Sequence, residues 1–257
     1  MRAFASILLC VLLFSGLSAC LPEATPLPPL PTDTPSQPTS TPTATVVWFP
    51  PTPTFTPFPT PAITPTVDLR PQVGELLLED NFDSSRAWTL GQFAGGSAAL
   101  GKNELTLAVT QERGYVSSVR SSPDLGNFYA EITASPSLCR GMDEYGLLVR
   151  VASPQDFYRF SLSCDGQARL DRILSGQASS PQPWTITGSV PPGAPSTSRL
   201  AVSAIGKEMR FFVNGEFLFS VDEPSIPSGN LGVFARATAD PPVTVNFSDL
   251  QVYRVSP

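Results

Sequence analysis

The stretch that decides the fold is RLAVSAIGKEMRFFVNGEFLFSVDEPSIPSGNLGVFA, residues 199 to 235. Apolar and polar residues alternate in RLAVSAIG, again in EMRFFVNG and again in EFLFSVD. A period of two puts successive side chains on opposite faces of a strand. Asn214-Gly215 separates two of these runs, and both residues accept the positive φ that a two-residue hairpin turn demands. The runs are therefore antiparallel neighbours. Ser228-Gly229-Asn230 then breaks the chain before a further run, LGVFA.

Similar runs fill the chain from Gly74 to Val255, among them ELTLAVT, NFYAEITA, YGLLVRVA and DFYRFSLS. Gly, Pro, Asn and Asp punctuate them about every ten residues, and no window of about a dozen residues has helical periodicity. About a dozen strands in about 180 residues predict an all-β, antiparallel two-sheet sandwich, larger than the seven strands of an immunoglobulin domain. A chain of that size buries roughly 70% of its surface.

Two cysteines fall in this region, Cys139 after NFYAEITA and Cys164 just before the Asp165-Gly166 turn. In an exported protein an isolated pair is most simply a disulfide. In an up-down-up meander these two strand ends lie at the same edge, so a Cys139–Cys164 bridge is expected.

The order of the pieces carries a resemblance. LEDNFDSSRAWTL is followed by ELTLAV, NFYAEI, EYGLLVRV, DFYRFSLSCDGQARLDRI, PWTITGSV, the stretch quoted above and VNFSDLQVY. Together they resemble the concanavalin A-like lectin/glucanase jelly roll over residues 76 to 254. The pattern looks most similar to LamG-like and 3-keto-disaccharide-hydrolase-type domains of bacterial surface proteins. The resemblance implies a carbohydrate-binding surface, with a sugar hydrolase or a protein-binding adhesion module as the other classes. The glucanase branch uses E-x-D-x-x-E on one strand, and that motif does not occur here. Related domains often bind calcium through Asp and Asn oxygens. Asp222, Glu223 and Asp240 lie near turns without forming a ligand loop, so no metal residues are assigned.

Strand parity nominates a surface. In YGLLVRVA the core side is Tyr145, Leu147, Val149 and Val151, leaving Gly146, Leu148 and Arg150 on the other. In DFYRFSLSC, Tyr158, Phe160, Leu162 and Cys164 face the core, opposite Arg159, Ser161 and Ser163. A turn at SPQD, residues 153 to 156, sets Arg150 beside Arg159. A two-residue Asp165-Gly166 turn would push Leu170 out of the core, whereas a three-residue DGQ turn keeps it inside and brings Asp171 near Arg159. Arg150, Arg159 and Asp171, with Trp184 or Trp88 stacking on a ring, are thus the candidate ligand-binding residues. The alternative is a solvated charge network.

The N-terminus reads differently. Arg2 precedes an apolar run from Ala3 to Phe14, too short for a bilayer span of about 20 residues but suited to a signal peptide. Leu17-Ser18-Ala19-Cys20 resembles the lipobox of bacterial lipoproteins, which implies a diacylglyceryl group on Cys20 and membrane attachment outside the cytoplasm. Residues 1 to 19 are then the leader, 20 to 72 a tether and 73 to 257 the lectin-like domain. Most of the 29 prolines precede residue 72. They favour an extended chain rising about 3.1 Å per residue. The net charge of −6 offers nothing to nucleic acid. The absence of histidine excludes Ser-His-Asp triads and histidine metal sites.

Overall fold

Fifteen strands, every pair antiparallel, form within residues 68–239 and 241–256, the residues described by the computed structural model. The expected leader, Cys20 and the Pro/Thr stretch up to residue 67 lie outside the described residues. No helix forms among those described. Leu105–Val109 (β4), Phe128–Leu138 (β6), Ser198–Ile205 (β11), Glu208–Val213 (β12), Glu216–Asp222 (β13) and Val243–Arg254 (β15) belong to a nine-stranded sheet. It runs β13-β12-β11-β6-β15-β4 and is completed by Gly96–Leu100 (β3) and Gly91–Phe93 (β2), with Leu76–Asp80 (β1) beside β15. The second sheet has six strands in the order Gln177–Ile186 (β10), Gln167–Leu174 (β9), Asp156–Ser163 (β8), Glu144–Ser153 (β7), Asn230–Arg236 (β14) and Tyr115–Val119 (β5). Crossing between sheets at β4–β5, β5–β6, β6–β7, β10–β11, β13–β14 and β14–β15 makes the two-sheet jelly roll.

The hairpin at Asn214-Gly215 forms as the residues require. Asn214 and Gly215 adopt φ of 53° and 81°, and Val213 pairs with Glu216. The core lies between the sheets because alternation sends one face of each strand inward. Tyr145, Leu147 and Val149 of β7 and Phe160 and Leu162 of β8 meet Phe211 of β12 and Val202 of β11 there. Phe160 and Phe211 touch across the interface with ring centroids 4.8 Å apart. β10 is an edge strand carrying Pro181 and Pro183, residues that cannot extend a ladder on their open side. Cys139 and Cys164 form the expected disulfide, with Cα atoms 5.9 Å apart.

The expected pairing of Arg150 with Arg159 needs correction. Leu148, not Arg150, lies opposite Arg159, and the register slips between Val149 and Ser153. Arg150 sits in that bulge at φ 50°, which turns its side chain off the sheet face. It is fully buried. Its guanidinium donates to the carbonyls of Ile226 (3.2 Å), Gly126 (2.9 Å) and Gly206 (2.8 Å). These carbonyls belong to three different loops, so one side chain ties together one end of the sandwich. Burial lowers its pKa from the usual value, yet a guanidinium keeps its charge in a protein. Gly229 is required alongside, since a Cβ there would come within 2.5 Å of the Arg150 carbonyl carbon.

Arg150→Ala leaves three carbonyls without donors and a cavity beside them. We expect a loss of about 3–5 kcal/mol in stability by urea denaturation. An exposed arginine would cost almost nothing.

Candidate functional site

The outward face of the six-stranded sheet is built in rungs. One crosses from Gln167 on β9 through Ser163, Glu144 and Arg236 to Tyr115 on β5. The next crosses from Arg169 through Ser161, Gly146 and Phe234 to Ser117. A third crosses from Asp171 through Arg159, Leu148 and Gly232 to Val119. Small residues, Ser161 and Gly146, occupy the middle, and long side chains surround them. A Cβ on Gly146 would run into the Phe160 carbonyl oxygen, so the position admits no larger residue.

The turn that sets this register spans Cys164, Asp165 and Gly166, one residue earlier than the DGQ turn expected from the sequence. Leu162 pairs with Ala168 across it. Both turns have three residues, so parity is the same: Leu170 is buried and Asp171 lies directly across from Arg159.

Charge is concentrated here and internally matched. Arg159 Nη2 lies 2.7 Å from Asp171 Oδ2, and Arg169 Nη2 lies 3.0 Å from the same oxygen. Arg169 Nη2 also reaches Glu144 Oε2 at 3.1 Å, and Arg236 Nη1 reaches Glu144 Oε1 at 3.4 Å. Ser180 Oγ donates to the second Asp171 oxygen at 2.6 Å. Glu144 and Asp171 are both buried, so these contacts supply the partners that water would otherwise provide. Aromatic faces complete the surface. The Arg169 guanidinium carbon stands 4.4 Å from the half-buried Trp184 ring centroid, and that of Arg159 stands 5.6 Å from Phe234. Tyr115 stacks on Phe234 at 5.8 Å, and burial pushes its phenol pKa up.

Three buried polar atoms of this face have no hydrogen-bond partner among the described residues: Tyr115 Oη, Ser161 Oγ and Arg169 Nε. Arg169 Nε can only donate, whereas the two hydroxyls can donate or accept.

Arg159, Asp171 and Trp184 are thus brought to one surface. Arg150 and Trp88 are not. Trp88 is buried at the edge of the core, where its Nε1–H donates to Asp80 Oδ2 at 3.0 Å. Its ring meets Phe82 with centroids 5.1 Å apart. Glu144, Arg169, Arg236 and Tyr115 were missed, although carrying the alternation one step further along YGLLVRVA and QARLDRI reaches the first two. Tyr115 and Arg236 lie on β5 and β14, whose pairing no local pattern announces.

No family model matches the chain, and no curated protein sequence does. Solved structures do. The carbohydrate-binding module CBM66 from Bacillus subtilis superposes with a TM-score of 0.50 at 13% identity, covering 65% of this chain and 95% of that one. The catalytic domain of an endo-1,3-β-glucanase (laminarinase) from Thermotoga petrophila RKU-1 gives 0.50 at 10% identity, covering 71% and 98%. The GH43 protein BlXynB from Bacillus licheniformis gives 0.52 at 13% identity, covering 68% of this chain and 39% of that one. The fold is the concanavalin A-like lectin/glucanase jelly roll. At these identities the likeness is one of fold. The E-x-D-x-x-E motif does not occur in the sequence, and the two buried acids of this face, Glu144 and Asp171, lie on separate strands, β7 and β9.

Asp171→Ala withdraws the carboxylate that two largely buried arginines share. A loss of about 3 kcal/mol is expected in chemical denaturation. Asp171→Asn, which keeps the shape and one acceptor, should lose less.

Proposed function

We propose that this jelly roll is a glycan-binding module whose contact surface is the outward face of the six-stranded sheet. The observation that carries this reading is the held arginine network beside an aromatic face: Arg169 pairs with Glu144 and Asp171 and stands over the half-buried Trp184 ring. A sugar suits such a surface, since its hydroxyl oxygens accept hydrogen bonds from guanidinium groups and the C–H face of the ring stacks on an aromatic plane. The ion pairs around Arg159 and Arg169 keep these side chains in place before a ligand arrives, which lowers the entropy cost of binding. The likeness to a carbohydrate-binding module agrees with this reading.

Hydrolysis is the second reading, and one observation favours it. Glu144 and Asp171 approach the same nitrogen of Arg169, which keeps their nearest oxygens within about 6 Å, close to the spacing of about 5–5.5 Å used by retaining glycosidases. Against it, arginine donors engage both acids, and Asp171 also accepts from Ser180. A general acid needs an oxygen free to deliver a proton to the leaving group. Binding without turnover is therefore the better account.

The N-terminal sequence supports display outside the cell membrane, with lipid on Cys20 and the Pro/Thr stretch as tether. Cys20→Ser should shift the protein from the membrane pellet to the soluble fraction on cell fractionation. Retention in the pellet would remove the anchor.

For the binding face, the full chain is probed against neutral and acidic glycans and polysaccharides, with calcium and with EDTA. Saturable binding is expected, weakened at least tenfold by Arg159→Ala or Trp184→Ala with folding intact by circular dichroism. No binding to any glycan, or binding indifferent to both substitutions, sinks the reading. Release of reducing sugar, abolished by Glu144→Gln, would replace it with the hydrolase.

A further inference from the structure

We propose a second glycan surface, independent of the first, on the outward face of β6 and β15 in the nine-stranded sheet, with a neutral oligosaccharide as its ligand. Tyr129 and Tyr253 are direct cross-strand neighbours there, with ring centroids 6.4 Å apart. Glu131 and Gln251, two residues along each strand, form the next pair on the same face. An aromatic rung thus lies beside a rung of planar polar groups.

The polar groups are fixed. Tyr129 Oη donates to Glu131 Oε2 at 3.3 Å, and Tyr253 Oη to Gln251 Oε1 at 3.1 Å. Arg199 on β11 donates through Nη2 to Glu131 Oε1 at 2.9 Å and to Gln251 Oε1 at 3.4 Å. Its Nη1 is held by Thr133 Oγ1 at 3.0 Å and the Asp249 carbonyl at 2.7 Å. Double acceptance at Gln251 Oε1 sets the orientation of the amide and leaves its two N–H donors for another partner.

The segment entering the domain walls this surface. Gly74 N–H donates to the Arg254 carbonyl at 2.8 Å, and Arg254 N–H to the Glu75 carbonyl at 2.8 Å. Between that segment and the sheet lies a recess of about 680 Å³, lined by Asp68, Arg70, Val73, Tyr129, Glu131 and Tyr253. Small-molecule sites occupy about 300–1,000 Å³, so the volume suits a few sugar rings.

Charge selects the class of ligand. Asp68 pairs with Arg70 at 2.8 Å and Glu131 with Arg199 at 2.9 Å, so the charges around the recess cancel. An ionic ligand finds no unmatched countercharge. A neutral pyranose finds the half-exposed Tyr253 ring, backed by the buried Tyr129, for its C–H face and amide, carboxylate and guanidinium groups for its hydroxyls. Because the two surfaces belong to opposite sheets of one sandwich, a single domain bridges two stretches of polysaccharide.

The test titrates the full chain calorimetrically with maltohexaose, cellohexaose, laminarihexaose and xylohexaose. In an Arg159→Ala/Trp184→Ala background at least one of them should still bind. Gln251→Ala should then weaken binding at least tenfold, and Tyr253→Ala should abolish it. Gln251 is a partly exposed sheet residue, so its variant decides the matter even where Tyr253→Ala fails to fold. If Arg159→Ala/Trp184→Ala removes all binding of the four probes, the second surface is overturned and the first stands. If those substitutions change nothing while Gln251→Ala does, the first falls and the second stands. Binding of none of the four probes, or binding unaffected by both Gln251→Ala and Tyr253→Ala, also overturns it.

Discussion

Burial of Leu170 governs the candidate site. A leucine in this core contributes about 1.5–3 kcal/mol relative to an exposed one, far more than the difference between two turn types. Keeping it inside forces an odd number of residues into the β8–β9 turn, because a one-residue slip would turn every β9 side chain over. Asp171 then falls opposite Arg159 and Arg169 opposite Ser161. The network that fixes both arginines follows from that single parity. An acid placed on the wrong face would leave two guanidinium groups side by side and unpaired.

Arg150 shows a different use of the same residue type. On the sheet face an arginine meets carboxylates and an aromatic ring, whereas Arg150 meets only backbone carbonyls, from three loops. Burying a charge without a counterion is costly, and strong hydrogen bonds to carbonyl dipoles are what offset it. The return is rigidity at one end of the sandwich, next to Gly229, where no side chain fits. An arginine on an alternating strand is therefore not a surface residue by default.

The two sheets divide their polar residues by environment. On the six-stranded face the acids are buried and heavily engaged, and donors remain without acceptors. On the nine-stranded face Glu131, Gln251 and Arg199 are partly exposed, share one hydrogen-bond network and lie beside tyrosines. The first arrangement sets guanidinium groups beside an aromatic ring. The second presents a flat, neutral aromatic surface under a wall. One fold thus carries two chemistries because alternation gives each sheet an outward face that the core does not dictate.

Much of this was legible without coordinates. Period-two patterning and turn residues determined the all-β sandwich, the Asn214-Gly215 hairpin and the disulfide, because these depend on interactions local in sequence or on few possibilities. The parity argument placed Arg159 and Asp171 together for the same reason. Tertiary structure alone decided that Arg150 lies in a bulge, since a bulge adds one residue to the count and periodicity has no means of marking it. It alone turned Trp88, outside the regular strands, inward onto Asp80, and it alone set Phe234 beside Arg159 and Arg236 beside Glu144, because β14 lies far along the chain from β7 and β8 and only the sheet order brings them together.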